Sequence, residues 1–324
     1  MKRYQVRVPG SIPKDRLDLY LLIWLPTVVG MTLSKANIRA LLFSGSVFVN
    51  RNRRKSGSTP IYSGALIEVY FDEEKLNQNS LARVAEVRFD SSRIVYEDEF
   101  IIVVDKPAGL PTQPTIDPNR VNLYDSLKQM LSHRDKVDVP YLGLHHRLDK
   151  DTSGLILFTK KEEANKGVSE LFLNHAIQKT YQCICWRAPD SRQFKVGDQF
   201  QVENHLGKIS DKSDKTKFGQ VRSGGDHAIT DFTVIEVFRD MVWLSARPKT
   251  GRTHQIRVHA SENLLPILGD PMYFPEKIAL FMSAPRLMLH AIELRFLHPI
   301  NQVALVLNAE LPSDFVDTLG QLKR

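Results

Sequence analysis

Cysteine is nearly absent: Cys183 and Cys185 are the only two in 324 residues. They lie two positions apart on what reads as one strand, where they cannot readily bridge each other, and two thiols alone make no zinc site. A disulfide scaffold is therefore excluded, and a reducing, cytoplasmic setting is expected. No apolar run approaches the roughly 20 residues that a bilayer-spanning helix needs. The opening Met1-Lys2-Arg3-Tyr4-Gln5-Val6-Arg7 has no apolar block behind its charges, so no signal peptide is expected. Internal repeats are lacking too. What is present, 42% hydrophobic and 25% charged residues, suits a soluble globular protein with a sizeable core, and the length points to two domains.

The net charge is +7, and its location matters more than its size. Residues 1–72 hold eleven Lys or Arg against four acids, so they carry the entire excess and the remainder is neutral. A small basic module beside a neutral larger one points to an electrostatic grip on a polyanion, with chemistry done elsewhere. The competing reading of the charge alone is a solvated basic face without a partner.

Within the basic module, residues 14–25 read as an amphipathic helix with Leu17, Leu21, Trp24 and Leu25 on one face and Pro26 as its stop. A second helix is expected between Ser34 and Gly45, then a strand at Val47-Phe48-Val49, a basic turn from Arg51 to Gly57, and a strand from Ala65 to Phe71. Residues 73–92 are polar and read as a linker, so the expected division is 1–72, 73–92 and 93–324. In the second domain, helices are expected near 121–132 and 162–174, and strands near 100–104, 179–186, 292–297 and 303–309. A hairpin is expected around Arg239-Asp240, a capped helix after Thr250, and loops with short strands over 187–225.

One stretch organises the rest: His146-Arg147-Leu148-Asp149-Lys150-Asp151-Thr152-Ser153-Gly154. Apolar residues flank it on both sides, so it reads as a sharp turn between two strands. Such a turn fixes a few polar side chains on a rigid scaffold. Asp149, where the first apolar run stops, is the candidate catalytic group. By itself, a pair of aspartates such as Asp149 and Asp151 more often only caps a turn.

Three blocks together resemble the RluA-type pseudouridine synthases: His146–Gly154, the strand around Lys179-Thr180-Tyr181, and Gly251–His259. Asp105-Lys106-Pro107-Ala108-Gly109-Leu110, Leu268-Gly269-Asp270, Pro285-Arg286-Leu287 and His298-Pro299 support the match in the same order. The N-terminal stretch resembles the S-four RNA-binding module at Arg16-Leu17-Asp18, Ile38-Arg39-Ala40-Leu41-Leu42 and Gly45-Ser46-Val47-Phe48-Val49-Asn50. That module belongs to the subset resembling RluC and RluD.

The resemblance implies an α+β protein. A small S-four-like domain would be joined to a catalytic domain with a central, largely antiparallel mixed sheet flanked by helices. It implies an isomerase that converts uridine to pseudouridine in structured RNA, foremost large-subunit ribosomal RNA, with transfer RNA also open. Asp149 matches the catalytic aspartate, Tyr181 the active-site tyrosine, Arg257 the basic residue paired with the aspartate, and Arg147 the arginine that fills the gap left by the flipped nucleotide. Arg39, Arg51, Arg53, Arg54 and Lys55 would face RNA phosphate. No cofactor, metal or membrane is implied, and a monomer is expected. His145, His146, His254, His259 and His290 are read as structural or RNA-contacting. The sequence departs from the family at Asp231 and at Gly30-Met31-Thr32-Leu33-Ser34, neither of which touches the catalytic positions. The rival of another class is a non-catalytic RNA-binding or ribosome-assembly factor on the same scaffold. A glycoside hydrolase built on Asp149 and Asp151 would need two carboxyl groups across one bond and would leave the basic module without a purpose.

Overall fold

The structure, a computed structural model, describes residues 2–10, 15–30, 33, 38, 41–42, 46–54, 56–71, 89–114, 120–210, 217–275 and 284–323. They fall into two compact units, 1–86 with 116–120 and 87–115 with 121–324.

In the first unit, β1 (Lys2–Arg7), β6 (Leu66–Phe71), β3 (Val47–Val49) and β4 (Asn52–Arg53) form a sheet in that order, and β2 (Asp15–Arg16) pairs with β5 (Pro60–Ile61). Helix α1 spans Leu17–Val29 and buries Leu17, Leu21 and Leu25 against Val47, Ile67 and Val69. Pro26 does not stop the helix as expected. It lies in the final turn, where its missing N–H removes one bond, and its carbonyl accepts the N–H of Gly30, a left-handed cap at φ 69°. The helix expected between Ser34 and Gly45 lies mostly outside the described residues, although Ile38, Leu41 and Leu42 are buried in this core. Strands β3 and β4 join through a two-residue hairpin turn, Asn50-Arg51, with both φ angles positive (49° and 65°).

The second unit is built on an eleven-stranded sheet. Its strands are β7 (Ile94–Glu97), β8 (Ile101–Lys106), β9 (Gly143–Leu144), β10 (Ser153–Thr159), β11 (Gln178–Trp186), β12 (Gln199–Ser210), β13 (Lys217–Gln220), β14 (Asp226–Val237), β15 (Met241–Pro248), β16 (Leu289–Leu297) and β17 (Ala304–Asn308). The order is β13-β12-β14-β15-β11-β16-β10-β8-β7, with β17 on β16 and β9 on β10. Every pairing is antiparallel except β10 with β16. The described helices are α2 (Leu123–Asp135), α3 (Glu163–Leu173), α4 (Gln255–Glu262) and α5 (Ser313–Leu322).

Strands β8 and β10 are apolar without alternation because both faces are covered. Ile102, Val104, Ile156 and Phe158 pack with Leu123, Leu127 and Leu131 of α2, while Ile101, Val103, Leu155 and Leu157 pack with Ala164 and Val168 of α3. This is the α+β architecture expected. Three local expectations change. Only Gly143–Leu144 of the run before Asp149 is strand, and residues 145–152 are irregular. The region 187–225 contains the twelve-residue strand β12. The terminal helix α5, not anticipated, packs Phe315 and Leu319 into the core beside β11 and β15. Among the described residues no helix is long and apolar enough to cross a membrane.

Candidate active site

The Asp149 segment is irregular in backbone yet tied down at each step. Thr112 Oγ1 donates to Leu148 O at 2.8 Å and accepts from Leu148 N at 3.2 Å. The N–H of Thr152 donates to Asp149 O, and the N–H of Gly109 to Lys150 O. Lys150 O also accepts from the ammonium of Lys106 at 3.0 Å; that ammonium donates to Pro107 O and Leu110 O as well. Lys106 is fully buried, and burial pulls its pKa down to about 7 against the charges of Asp151 and Asp149. The Asp-Lys-Pro-Ala-Gly block thus serves as the brace of the Asp149 turn.

The Asp149 carboxylate meets two basic side chains. Arg257 Nη1 donates to its Oδ2 at 2.8 Å, and His254 Nε2 stands 3.7 Å from the same oxygen. Oδ1 makes no hydrogen bond to the described residues, and the side chain keeps 30% exposure. Arg257 comes from α4 and is itself locked: Nε and Nη2 donate to the two oxygens of Asp270 at 2.7 and 2.8 Å. The Asp270 side chain is wholly buried and accepts the N–H groups of Met272 and Tyr273. The Tyr273 ring lies under the guanidinium at 5.1 Å, and its hydroxyl is bonded to Phe218 N and His254 Nδ1. Burial works against the charge of Arg257, but hydrogen bonding and charge from Asp270, then Asp149, more than restore it, so the cation is permanent. Burial holds His254 below its ordinary pKa against the pull of Asp149. The result is a carboxylate oriented on one side by a fixed cation and open on the other.

Tyr181 sits in β11 at a bulge of the facing strand: Thr180 lies opposite Glu293 and Tyr181 opposite Ala291, with Ile292 of β16 as the extra residue. Across the sheet it lies opposite Ala246 of β15 and Ala291 of β16; Ala291 in turn lies opposite Gly154 of β10, and Gly154 opposite Lys106 of β8. Residues opposed in register share a face. Tyr181 and Lys106 are therefore separated in register by residues with almost no side chain. Gly154 is obligatory there: its φ is +113°, and a Cβ would lie 2.2 Å from Ala291 O. Burial, then the charge of Asp149, raises the Tyr181 phenol above its ordinary value, so the hydroxyl keeps its proton.

The structure thus brings Asp149 and Arg257 into contact and sets Tyr181 within reach of the Asp149 charge. Arg147 is exposed, with no ion pair to the described residues. In the first unit Arg51, Arg53 and Arg54 are exposed; Arg51 occupies the hairpin tip and the Arg53 guanidinium lies over the Phe48 ring at 5.4 Å. Arg39 and Lys55 lie outside the described residues. The histidines have partners of their own. His145 bonds Thr159, Asn165 and Ser169; the His146 ring accepts Leu157 N–H; His259 bridges Thr230 and Asn204; His290 bonds Ser153. Asp270, Tyr273, Lys106 and Thr112 were not singled out from sequence as site residues, although Asp270 and Lys106 stand in blocks that carry the resemblance; His254 was read there as structural or RNA-contacting.

The profile of the RNA pseudouridylate synthase family matches residues 100–262, half of the chain. The ribosomal large subunit pseudouridine synthase D of Yersinia pestis is 30% identical over 302 residues, covering 90% of this chain and 87% of that protein. Its counterpart from Zymomonas mobilis is 35% identical over 232 residues, covering 68% and 69%. The structure of human RNA pseudouridylate synthase domain containing 4 superposes with a TM-score of 0.57 at 26% identity, over 77% of this chain and 98% of that one. With the oriented carboxylate, its buried arginine and the tyrosine beside them, these likenesses lead to one assignment: the chain belongs to the RluA-type family of RNA pseudouridine synthases.

Proposed function

We propose that this protein isomerises particular uridines to pseudouridine in structured large-subunit ribosomal RNA, with Asp149 as the group that acts on the ribose. The observation that carries the reading is the divided Asp149 carboxylate, one oxygen fixed by Arg257 and the other open. A stacked, paired uridine must first be extruded from the RNA. Arg147, exposed two residues before Asp149, is placed to fill the vacated stack and to bind nearby phosphate. The open oxygen of Asp149 then either attacks the anomeric carbon or removes a neighbouring sugar proton, while Arg257 holds the other oxygen in place. The freed uracil stays beside Tyr181, turns, and rejoins through carbon 5, which gives up its proton to solvent while nitrogen 1 takes one up, with proximity supplying much of the rate. A phenol that keeps its proton suits Tyr181 to ring contact and hydrogen-bond donation rather than to acting as a resting base.

In this reading residues 1–72 are an S-four-like module that grips RNA phosphate through Arg39, Arg51, Arg53, Arg54 and Lys55, residues 73–92 link it, and residues 93–324 do the chemistry. The enzyme is a cytoplasmic monomer that uses neither metal nor cofactor.

The test is tritium release from carbon-5-labelled uridine in ribosomal RNA transcripts. Wild type should release tritium and Asp149→Asn should not, while binding RNA with similar affinity. Turnover by Asp149→Asn would remove Asp149 from the chemistry, and silence from wild type on every transcript would refute the reading.

A further inference from the structure

Lys179 stands in a block shared with the family, yet the chemistry above gives it no task. It lies in β11 two residues before Tyr181 and is half-buried. Its ammonium makes one long hydrogen bond, 3.5 Å to Thr250 O, and borders Gly251, where a Cβ would lie 3.7 Å away. No carboxylate of the described residues pairs with it, and burial alone lowers its pKa. On its other side the charge reaches His146, whose ring stays neutral and accepts Leu157 N–H at 2.9 Å. Lys160, also partly buried, is by contrast compensated by Glu97 at 2.5 Å and by Asp98 O. Arg252, the next cation along the Gly251 loop, bonds His227 O and approaches Asp226.

A half-buried ammonium without an acid is costly unless a ligand supplies the anion. The position indicates which anion. Lys179 touches the loop that leads into α4 and Arg257, and its charge reaches His146 in the segment that leads to Asp149. A nucleotide with its ribose at Asp149 and its base beside Tyr181 carries a phosphodiester on each side of that ribose. Uracil oxygens are uncharged and would leave the ammonium uncompensated.

We infer that Lys179 binds a phosphate flanking the flipped uridine and so holds its ribose over Asp149. This rests on the reading under Proposed function. Lys179 is a positioning residue, and its effect should depend on one RNA phosphate.

The test uses synthetic RNA around a uridine first mapped by tritium release, with single methylphosphonates that remove one phosphate charge at a time on either side of it. Wild type, Lys179→Met and the charge-keeping Lys179→Arg are compared. Lys179→Met should lower kcat/KM about tenfold and flatten its log–log salt dependence by roughly 0.7 to 0.9. Lys179→Arg should recover most of the loss. One methylphosphonate should slow wild type by a similar factor and leave Lys179→Met unaffected. Equal losses in both enzymes at every linkage would overturn the inference. The charge is removed from the RNA, so this readout stands even if Lys179→Met is less stable. Wild type releasing no tritium from any transcript would overturn the functional reading and this inference together; release without phosphate coupling would overturn this inference alone.

Discussion

At the scale of residues, the site is a relay of decreasing burial. Asp270 is wholly enclosed, Arg257 nearly so, and Asp149 keeps 30% exposure. The inner carboxylate fixes the guanidinium and so fixes the outer one. Asp270→Asn should leave Asp149 loosely oriented, lowering kcat about 10- to 100-fold, as loss of a group supporting a catalytic side chain does. RNA affinity should hardly change, and single-turnover kinetics beside filter binding would separate the two. Asp149 was singled out by its place where an apolar run stops, and Tyr181 and Arg257 through the blocks that resemble the family. The jobs of Asp270 and Lys106 were not legible, since each acts on a residue 13 or 44 positions away, and only the folded chain makes those pairs.

At the scale of elements, the β3–β4 hairpin offers a test of the proposed RNA grip against stability. Arg51 holds φ 65°, a left-handed conformation that costs a non-glycine residue about 1 kcal/mol. Arg51→Gly should stabilise the first unit by up to that amount while weakening RNA binding several-fold. Calorimetry and filter binding would check both signs, and lower stability would show that side-chain contacts outweigh the strain. Element periods were legible where one face is buried throughout, as in α1. Strand β12 alternates too, with Phe200, Val202 and Leu206 inward, but Asn204 breaks the pattern by pointing inward to bond His259. Pro26 misled because a proline in a helix's last turn forfeits only one bond.

At the scale of the molecule, buried neutral histidines set the acid limit. His259 and His290 are fully buried, and burial lowers each from the ordinary 6.5 to about 4. Below pH 6.5 the unfolded chain takes up these protons while the folded chain stays neutral down to about 4. The unfolded state therefore binds more protons in that window, and stability falls as pH falls through it. Each histidine contributes a slope of at most about 1.4 kcal/mol per pH unit. Calorimetry from about pH 7.5 to about pH 4.5 should show the decline, with a shallower slope in His290→Gln. An unchanged slope would remove His290 from the acid response.

Strand β16 has a consequence in time. Ala291 joins the strand of Tyr181 to the strand of Gly154, so the two are united only once residue 291 is in place. During synthesis the Asp149 turn is made well before the strand that joins β10 to the strand of Tyr181. The arrangement that sets Tyr181 by the Asp149 turn therefore cannot form until β16 has been made.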